Sequence, residues 1–152
     1  MNIDNYIKKI DIDNDQYIVV GVSAGPDSMA LLHMLKKTIK VNIVCAHINH
    51  NVRKESKIEE EYLKNYCKEN NIIFESTTIT SYKKNNFENE AREKRYNFYE
   101  KILKKYNSHN LFLAHHGDDL IETVIMKILR GSNIEGYSGI KTCSYVKDYK
   151  IQ

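Results

Sequence analysis

The sequence predicts an α/β fold, a parallel five-stranded sheet with helices on both faces. Two observations support this prediction. Short apolar runs rich in β-branched residues alternate along the chain with longer segments of helical periodicity. The runs are also continuously apolar, as strands are when both faces of a parallel sheet are covered. Parallel strands joined by right-handed helical crossovers are therefore the simplest arrangement.

The sheet is predicted to begin with a strand at Tyr17–Val22, after a short amphipathic lead-in helix over residues 3–11. Small and hydroxyl residues then form a loop, Ser23–Ser28. A helix follows from Asp27 or Ser28 to about Ile39, because leucines recur along one side of this segment at helical spacing.

The middle of the chain predicts two more strands and a charged helix. Val41–Ala46 is the second strand, and the polar segment His47–Lys54 leads to a helix from Glu55 to about Asn70. Ile72–Phe74 is a short third strand, and residues 77–86 have the composition of a loop. The helix is expected to turn one stripe of residues toward the sheet: Ile58, Tyr62, Leu63 and Tyr66.

The second half repeats this alternation. Phe87–Tyr106 is a charged helix, Leu111–Ala114 is a buried strand, and a second helix runs from Asp119 to about Arg130. Cys143–Ile151 has the pattern of a last strand. Because the sequence ends within that pattern, we expect one domain over residues 1–152 that is the N-terminal part of a longer protein. The helix that begins at Phe87 is expected to give three side chains to the core: Ala91, Phe98 and Ile102.

Composition is that of an ordinary globular protein. Apolar residues make up 41% and charged residues 28% of the 152 residues, enough for one domain with a substantial core. No apolar run is long enough to cross a bilayer and no signal peptide precedes the first strand, so we expect a cytoplasmic location and no membrane partner. A net charge of +3 permits a nucleic-acid partner without requiring one.

The three cysteines, Cys45, Cys67 and Cys143, are widely separated and odd in number. This spacing indicates neither a disulfide framework nor a Cys-x-x-Cys metal or redox site. We interpret them as small, buried, apolar side chains.

The loop Ser23-Ala-Gly-Pro-Asp-Ser28 has two interpretations. It could be a capped connection between a strand and a helix, with Asp27 or Ser28 as the N-cap. Alternatively, its backbone N–H groups and the start of the helix could surround an anion. The loop lacks the Gly-Lys-Ser/Thr ending of a Walker loop, and it lacks the three glycines of the dinucleotide fingerprint.

Polar residues follow three of the predicted strands: Ser23–Ser28, His47–Arg53 and His115–Asp119. The carboxyl ends of parallel strands lie at one edge of the sheet, where ligands bind near the point at which strand order reverses. We therefore expect these three loops to form one site.

The residues Ser23-Ala-Gly-Pro-Asp-Ser28 resemble the Ser-Gly-Gly-x-Asp-Ser signature of the PP-loop ATP pyrophosphatases, Rossmann-like enzymes that cleave ATP between the α- and β-phosphates. Later segments resemble the tRNA(Ile)-lysidine synthase family and keep its order from about residue 17 to 140. They are Ala46-His-Ile-Asn-His50 with Val52-Arg53, Asn89-Glu-Ala-Arg92 with Arg95-Tyr96, and Ala114-His-His-Gly-Asp-Asp-Leu-Ile-Glu-Thr123 with Arg130-Gly131.

The resemblance implies a reaction and its partners. Members of that family use ATP to adenylate the C2 oxygen of the wobble cytidine in a tRNA(Ile) with a CAU anticodon, and pyrophosphate leaves. The ε-amine of free L-lysine then displaces AMP. ATP and Mg²⁺ are the implied cofactors, while the sequence leaves open whether the protein forms a homodimer.

The resemblance also implies roles for individual residues. Asp27, Asp119 and Arg92 would be catalytic, and the two aspartates would hold Mg²⁺, which prefers carboxylate oxygens. Arg53, Glu90 and Arg95 would bind the substrates, with Glu90 receiving the lysine ammonium. The nucleotide would be held by Ser23, Ala24, Gly25, Pro26, Asp27, Ser28, Ala46, His47 and His116.

Several of these roles have structural alternatives. Asp118 could cap the following helix, His115 or His116 could be a satisfied structural residue, and the arginines could be solvated surface groups. Ala24 departs from the signature, because it stands where the family has a glycine. The C-terminal tRNA-binding domains of the family lie beyond this sequence, so we expect the segment alone to modify tRNA weakly or not at all.

Two rival functions stay open. Another PP-loop enzyme such as a tRNA thiolase is the nearer one, although the lack of paired cysteines argues against an iron–sulfur version. A nucleotide-binding regulatory module without turnover is the other.

Overall fold

The structure of the protein, a computed structural model, describes residues 16–51, 53–80, 87–114, 144–146 and 149–151. Six strands of the described chain form one sheet in the order β3-β2-β1-β4-β6-β5. Their bounds are Tyr17–Gly21 (β1), Asn42–Asn49 (β2), Ile73–Thr78 (β3), Asn110–Leu113 (β4), Ser144–Val146 (β5) and Tyr149–Ile151 (β6). Three helices lie between the first four strands: Pro26–Thr38 (α1), Ser56–Glu69 (α2) and Phe87–Lys105 (α3).

The first four strands run parallel, as predicted. β1 is central, with Tyr17 opposite Asn42 of β2 on one side and Val19 opposite Leu111 of β4 on the other. The predicted count of five strands was wrong. The last segment folds back on itself, so that β6 pairs with β4 in parallel and β5 pairs with β6 antiparallel.

Helices cover both faces of the sheet, which confirms the predicted fold class. Because successive side chains of a strand point to opposite faces, β1 divides its apolar residues between two cores. Ile18 and Val20 pack with residues of α1 and α2, whereas Val19 packs with residues of α3. The first core includes Leu32, Leu35, Leu63, Cys67 and Phe112, and the second includes Val44, Tyr99, Ile102, Leu103 and Leu111.

β2 and β3 are longer than predicted. The strand β2 continues through His47, Ile48 and Asn49, where the sequence predicts a polar segment, and all three residues are buried. Residues 75–78 continue β3, although Thr77 and Thr78 were assigned to a loop. β3 lies at the edge of the sheet, where a strand can carry polar side chains, so the apolar run there underestimates the strand.

The predicted inward stripe of α2 was wrong in two of its four positions. Ile58 and Tyr62 are 72% and 61% exposed, whereas Leu63 and Cys67 are fully buried. Glu60 lies on the inward side, where Asn49 of β2 donates a hydrogen bond to its carboxylate at 2.8 Å. A helix that turns Glu60 and Leu63 toward the sheet must turn Ile58 toward solvent.

Left-handed asparagines end the helices α2 and α3. Asn71 (φ 53°) and Asn107 (φ 48°) follow α2 and α3. The next amide then bonds back into the last turn, from Ile72 to the Cys67 carbonyl and from Ser108 to the Leu103 carbonyl. These are Schellman ends, in which asparagine takes the place of the usual glycine.

Cys45 and Cys67 are free thiols buried in the core, as predicted. They also meet each other across the interface between β2 and α2, which their sequence separation did not predict. Their mutual hydrogen bond and burial raise the pKa of Cys45, so it remains a thiol at neutral pH. Cys143, the lead-in helix over residues 3–11 and the helix after Asp119 lie outside the described residues.

Among the described helices, none has an apolar stretch of the length needed to cross a membrane.

Candidate functional site at the carboxyl edge of the sheet

The topology of the sheet places a crevice beyond the carboxyl end of β1. The chain passes from β1 to β2 on one side, whereas β4 flanks β1 on the other side. Strand order therefore reverses between β1 and β4, and ligands of parallel α/β sheets bind at such a point. Residues 22–25, between β1 and α1, form the loop at this position, which we call the phosphate loop together with residues 26–28 of α1.

Ala24 adopts a left-handed backbone conformation, with φ of 67°. A residue with a Cβ atom pays about 1 kcal/mol or more for this conformation, whereas glycine adopts it freely. A left-handed conformation at this position accounts for the glycine of the family signature, and in this chain an alanine adopts it.

Two serine hydroxyls hold the phosphate loop closed. Ser28 Oγ accepts a hydrogen bond from the Ser23 amide at 3.2 Å and donates one to the Gly25 carbonyl at 3.0 Å. The two Oγ atoms are 3.1 Å apart, and the Gly25 amide donates to Ser23 Oγ at 3.3 Å. Ser28 is buried and Ser23 is exposed, so Ser28 shapes the loop while Ser23 faces solvent.

Helix α1 starts without a side-chain cap. Gly25 is the N-cap and has no side chain that could cap the first N–H groups of the helix, and Pro26 occupies the first turn, where its missing N–H costs nothing. The expectation that Asp27 or Ser28 is the N-cap was wrong, because the helix begins one residue before Asp27. Asp27 lies exposed in the first turn, close to the positive end of the helix dipole.

His47, at the end of β2, is tied to the phosphate loop. Its Nδ1 atom lies 2.7 Å from the carbonyl oxygen of Val22, and the side chain is 3% exposed. A carbonyl oxygen can only accept a hydrogen bond, so Nδ1 of His47 carries a proton and is the donor. The amide of Val22 donates in turn to the carbonyl of Ala46 at 3.0 Å. Ala46 and His47, both in the second half of β2, therefore contact the first residue of the phosphate loop.

The first half of α3 brings two arginines to the same edge. Because α3 starts after the carboxyl end of β3, its early residues lie at the carboxyl edge of the sheet. The guanidinium carbons of Arg92 and Arg95 lie 5.8 and 5.9 Å from the centre of the Tyr96 ring. Arg95 Nε is buried and has no hydrogen-bond acceptor within the described chain.

Glu90 and Arg53 already have partners of opposite charge. Glu90 Oε1 lies 2.9 Å from Lys94 Nζ, one turn further along α3. Arg53 lies 3.6 Å from Glu59 of α2, with 68% of its side chain exposed. Within the described part of the chain no hydrogen bond or ion pair joins Arg53 to the phosphate loop, so its proposed substrate role rests on the motif.

Two residues that the sequence analysis did not assign also lie at this edge. Burial and the positive charge of Arg95, with a further effect of His47, lower the pKa of His50, which keeps the ring neutral at pH 7. Burial raises the pKa of Tyr99 to about 12, and its ring packs against Gly21 at the end of β1. His50 could have been found from the sequence, because it ends the quoted segment Ala46-His-Ile-Asn-His50. For Tyr99 the sequence offers only its helical spacing.

One of the two carboxylates expected to bind Mg²⁺ lies within the described residues. Asp27 fits, since it offers an exposed carboxylate beside the phosphate loop. The second expected ligand, Asp119, lies outside the described residues, together with His115, His116 and Asp118. Within the described ranges, no three His, Cys, Asp or Glu side chains cluster as a metal site.

Comparison with known families agrees with this geometry. A family model described as the PP-loop domain matches residues 1–152, and the chain belongs to that family. The motif resemblance is thereby confirmed. Among curated proteins, the tRNA(Ile)-lysidine synthase of Clostridium tetani is 45% identical over 139 residues, covering 86% of this chain and 30% of the relative. The enzyme of the same name from Bacillus cereus is 43% identical over 148 residues, covering 91% and 31%. The chain thus spans less than a third of the length of these relatives.

Solved structures share the fold at low sequence identity. The U34-tRNA thiolase NcsA of Methanococcus maripaludis, solved with its 4Fe–4S cluster, superposes with a TM-score of 0.69 at 15% identity, over 87% of this chain and 50% of the other. The NH3-dependent NAD synthetase of Campylobacter jejuni superposes with a TM-score of 0.56 at 16% identity, over 86% and 56%. These likenesses show the fold alone.

Proposed function

We propose that this chain is the ATP-activating domain of a tRNA(Ile)-lysidine synthase. The observation that carries the proposal is the phosphate loop, held by serine hydroxyls at the reversal of strand order and ending at an uncapped helix start. The lysidine synthases at 40–45% identity supply the substrate class. ATP use follows from the family, whereas Mg²⁺, tRNA(Ile) and L-lysine belong to the proposal.

The reaction has two steps. The C2 oxygen of the wobble cytidine attacks the α-phosphorus of ATP, and the bond to the bridging oxygen breaks so that pyrophosphate leaves. The ε-amine of lysine, after losing a proton, then attacks C2, and the bond between C2 and the adenylate oxygen breaks to release AMP. Adenylation thus converts a poor leaving oxygen into a good one.

The phosphate loop is suited to the first step. Backbone N–H groups at the start of α1 and the exposed hydroxyl of Ser23 would bind the β- and γ-phosphates, which leave as pyrophosphate. Asp27 and Asp119 would hold Mg²⁺, which offsets negative charge on the phosphate oxygens. A lysine in the loop is not needed, because the departing group is pyrophosphate and not a transferred terminal phosphate.

Arg92 and Arg95 would bind the RNA or the AMP portion. The buried Nε of Arg95 lacks an acceptor within the described chain, as expected of a donor that meets a substrate anion. Guanidinium groups bind phosphate with two parallel hydrogen bonds, and Tyr96 between them could stack on a base. To bind the ammonium group of the substrate lysine, Glu90 would have to give up its ion pair with Lys94.

The experiment that tests the proposal uses the full-length protein with ATP, Mg²⁺, labelled lysine and tRNA(Ile) with a CAU anticodon. We expect label in the RNA together with AMP and pyrophosphate. Sulfur transfer to the tRNA would instead identify a thiolase. ATP binding without pyrophosphate release would identify a regulatory module. We expect the 152-residue domain alone to bind ATP and to modify tRNA weakly or not at all.

A further inference from the structure

We infer that His47 is a positioning residue for the phosphate loop and acts through the carbonyl of Val22. The inference rests on the proposed function, because it assigns a task to the loop that we propose binds ATP. It differs from the expectation that His47 touches the nucleotide itself. The imidazole would set the shape of the loop before any ligand arrives.

The geometry of the hydrogen bond carries this inference. His47 Nδ1 donates to the Val22 oxygen at 2.7 Å inside the protein, with the side chain 3% exposed. Val22 is the last residue before the turn at Ser23 and Ala24. Its amide is also fixed, by the Ala46 carbonyl at 3.0 Å. Both polar backbone groups at the exit of β1 are therefore held by β2.

The turn that follows needs such support. Ala24 has a φ of 67°, which an alanine does not adopt readily, so neighbouring contacts must hold the turn in place. The hydroxyls of Ser23 and Ser28 bond to the backbone of Ser23 and Gly25, on both sides of Ala24. The imidazole of His47 bonds to the carbonyl of Val22, where the chain enters the turn. A loop fixed in advance binds its ligand without the cost of ordering flexible backbone.

The imidazole is itself held in place. Its ring lies 6.4 Å from the ring of Phe74 in β3, at an interplanar angle of 26°. Phe74 also packs against the core shared with α1 and α2. A ring stacked in this way keeps Nδ1 directed at one acceptor. The Val22 carbonyl can accept this hydrogen bond whether or not Nε2 is also protonated, because Nδ1 carries a proton in both states.

Two substitutions separate positioning from direct contact. In His47→Asn, the amide nitrogen lies the same number of bonds from Cβ as Nδ1, so the donor to Val22 is kept while Nε2 is lost. In His47→Gln, the amide group lies where Nε2 was, and the donor to Val22 is lost. His33→Asn is the control, since His33 is an exposed residue of α1 that contacts Tyr66.

The affinity of the full-length protein for ATP, and separately for inorganic pyrophosphate, is the measurement. We expect His47→Asn to stay within about threefold of the unsubstituted protein, and His47→Gln to bind about tenfold more weakly, the loss of one buried hydrogen bond. His33→Asn should leave both affinities unchanged. In NMR spectra, the Nδ1 proton of His47 should be protected from exchange before ATP is added.

Other outcomes overturn the inference. If His47→Gln binds normally and His47→Asn does not, His47 contacts the ligand through Nε2. If both variants bind normally, the bond to Val22 does not matter, and if both bind weakly, ring packing against Phe74 matters in place of the donor. If the unsubstituted protein binds neither ATP nor pyrophosphate, the proposed function fails, which is a different result.

Discussion

Ala24 shows how much one residue of the phosphate loop costs the fold. Its φ of 67° belongs to the left-handed region, and its side chain is only half-buried. Replacement by glycine removes the steric cost of the Cβ atom, which outweighs the lost packing of one half-buried methyl group against the core. We expect Ala24→Gly to raise the free energy of unfolding by about 0.5–1 kcal/mol.

Chemical denaturation with urea measures this change, and Ala30→Gly is the matched control. Ala30 is exposed within α1, where glycine lowers stability by about 1 kcal/mol. The same substitution should therefore have opposite signs at positions six residues apart. A loss of stability for Ala24→Gly would show that the turn is not strained.

The missing side chain of Gly21 leaves room for Tyr99 of α3 to pack against β1. A Cβ atom added there would lie 2.5 Å from Leu113 Cδ2 and 2.6 Å from Tyr99 Oη. We expect Gly21→Ala to lower the free energy of unfolding by about 1–3 kcal/mol, because α3 or β4 must shift. Gly25→Ala is the comparison, since its Cβ would meet only Ser23 Oγ at 3.4 Å. Equal stability losses in thermal unfolding would contradict this explanation.

At the scale of the element, α2 tests how a helix chooses its buried side. Leu63 is fully buried and Ile58 is 72% exposed. We expect Leu63→Ala to cost about 2–4 kcal/mol of unfolding free energy and Ile58→Ala less than about 0.5 kcal/mol. Urea unfolding of the two variants gives the comparison, and similar losses would mean that Ile58 is covered in solution.

The edge strand and α3 are joined by a small ionic network. Glu75 of β3 accepts hydrogen bonds from Lys105 at the end of α3 and from Tyr106 beyond it. Burial alone would raise the pKa of Glu75, but the hydrogen bonds from Lys105 and Tyr106 outweigh it and lower the pKa below the ordinary 4.5. The network therefore stabilises the fold at neutral pH, and the stabilisation is lost as the pH falls from about 4.5 through the lower pKa of the folded state.

We expect Glu75→Gln to lower the thermal midpoint by about 2–4 °C at pH 7 and to have little effect below the folded pKa of Glu75. The measurement is the thermal midpoint of both proteins at a series of pH values between 3 and 7. Linkage between protonation and folding requires their difference to shrink as the pH falls. A difference between the two proteins that does not shrink in acid would exclude Glu75 as its source.

The sequence predicted elements better than their faces. Continuous apolar runs marked β1, β2 and β4, because central strands of a parallel sheet must be apolar. The polar end of β3 was not predicted, because an edge strand does not need an apolar sequence. The buried side of α2 includes Glu60, which accepts a hydrogen bond from Asn49 of β2. Such contacts join residues distant in sequence, so periodicity within one segment cannot show them.

The candidate site was predictable in the same uneven way. The motifs identified the phosphate loop, but the bond from His47 to Val22 and the approach of Tyr99 to Gly21 depend on strand order and helix packing. Arg53 and Glu90 met partners of opposite charge on their own helix or the next one. Their proposed roles with substrate stay predictions, as do those of Asp119 and His116.

At the scale of the whole molecule, the proposed reaction assigns Mg²⁺ binding to the carboxylate of Asp27 beside the phosphate loop. Asp27 is exposed in the first turn of α1, close to the positive end of the helix dipole. We expect Asp27→Asn to slow pyrophosphate release by the full-length protein at least about tenfold, the effect of losing one electrostatic contact in a transition state. The thermal midpoint should fall by only about 1–3 °C, because the lost charge stabilises the helix dipole.

Glu69→Gln is the matched control for that experiment. It removes the same charge from an exposed position in the last turn of α2, so it should leave the rate unchanged. Pyrophosphate release from the tRNA reaction is the measurement. An unchanged rate in Asp27→Asn would remove Asp27 from the mechanism.

The two buried thiols have a use of their own. Cys45 belongs to β2 and Cys67 to α2, and both are fully enclosed, so an alkylating reagent reaches either one only when α2 lifts from the sheet. In a variant with Cys143 replaced, the labelling rate of these two thiols therefore measures how often α2 separates from the sheet. A ligand that tightens the packing of α2 against β2 should slow this labelling, so the two native cysteines can report the effect without an engineered label.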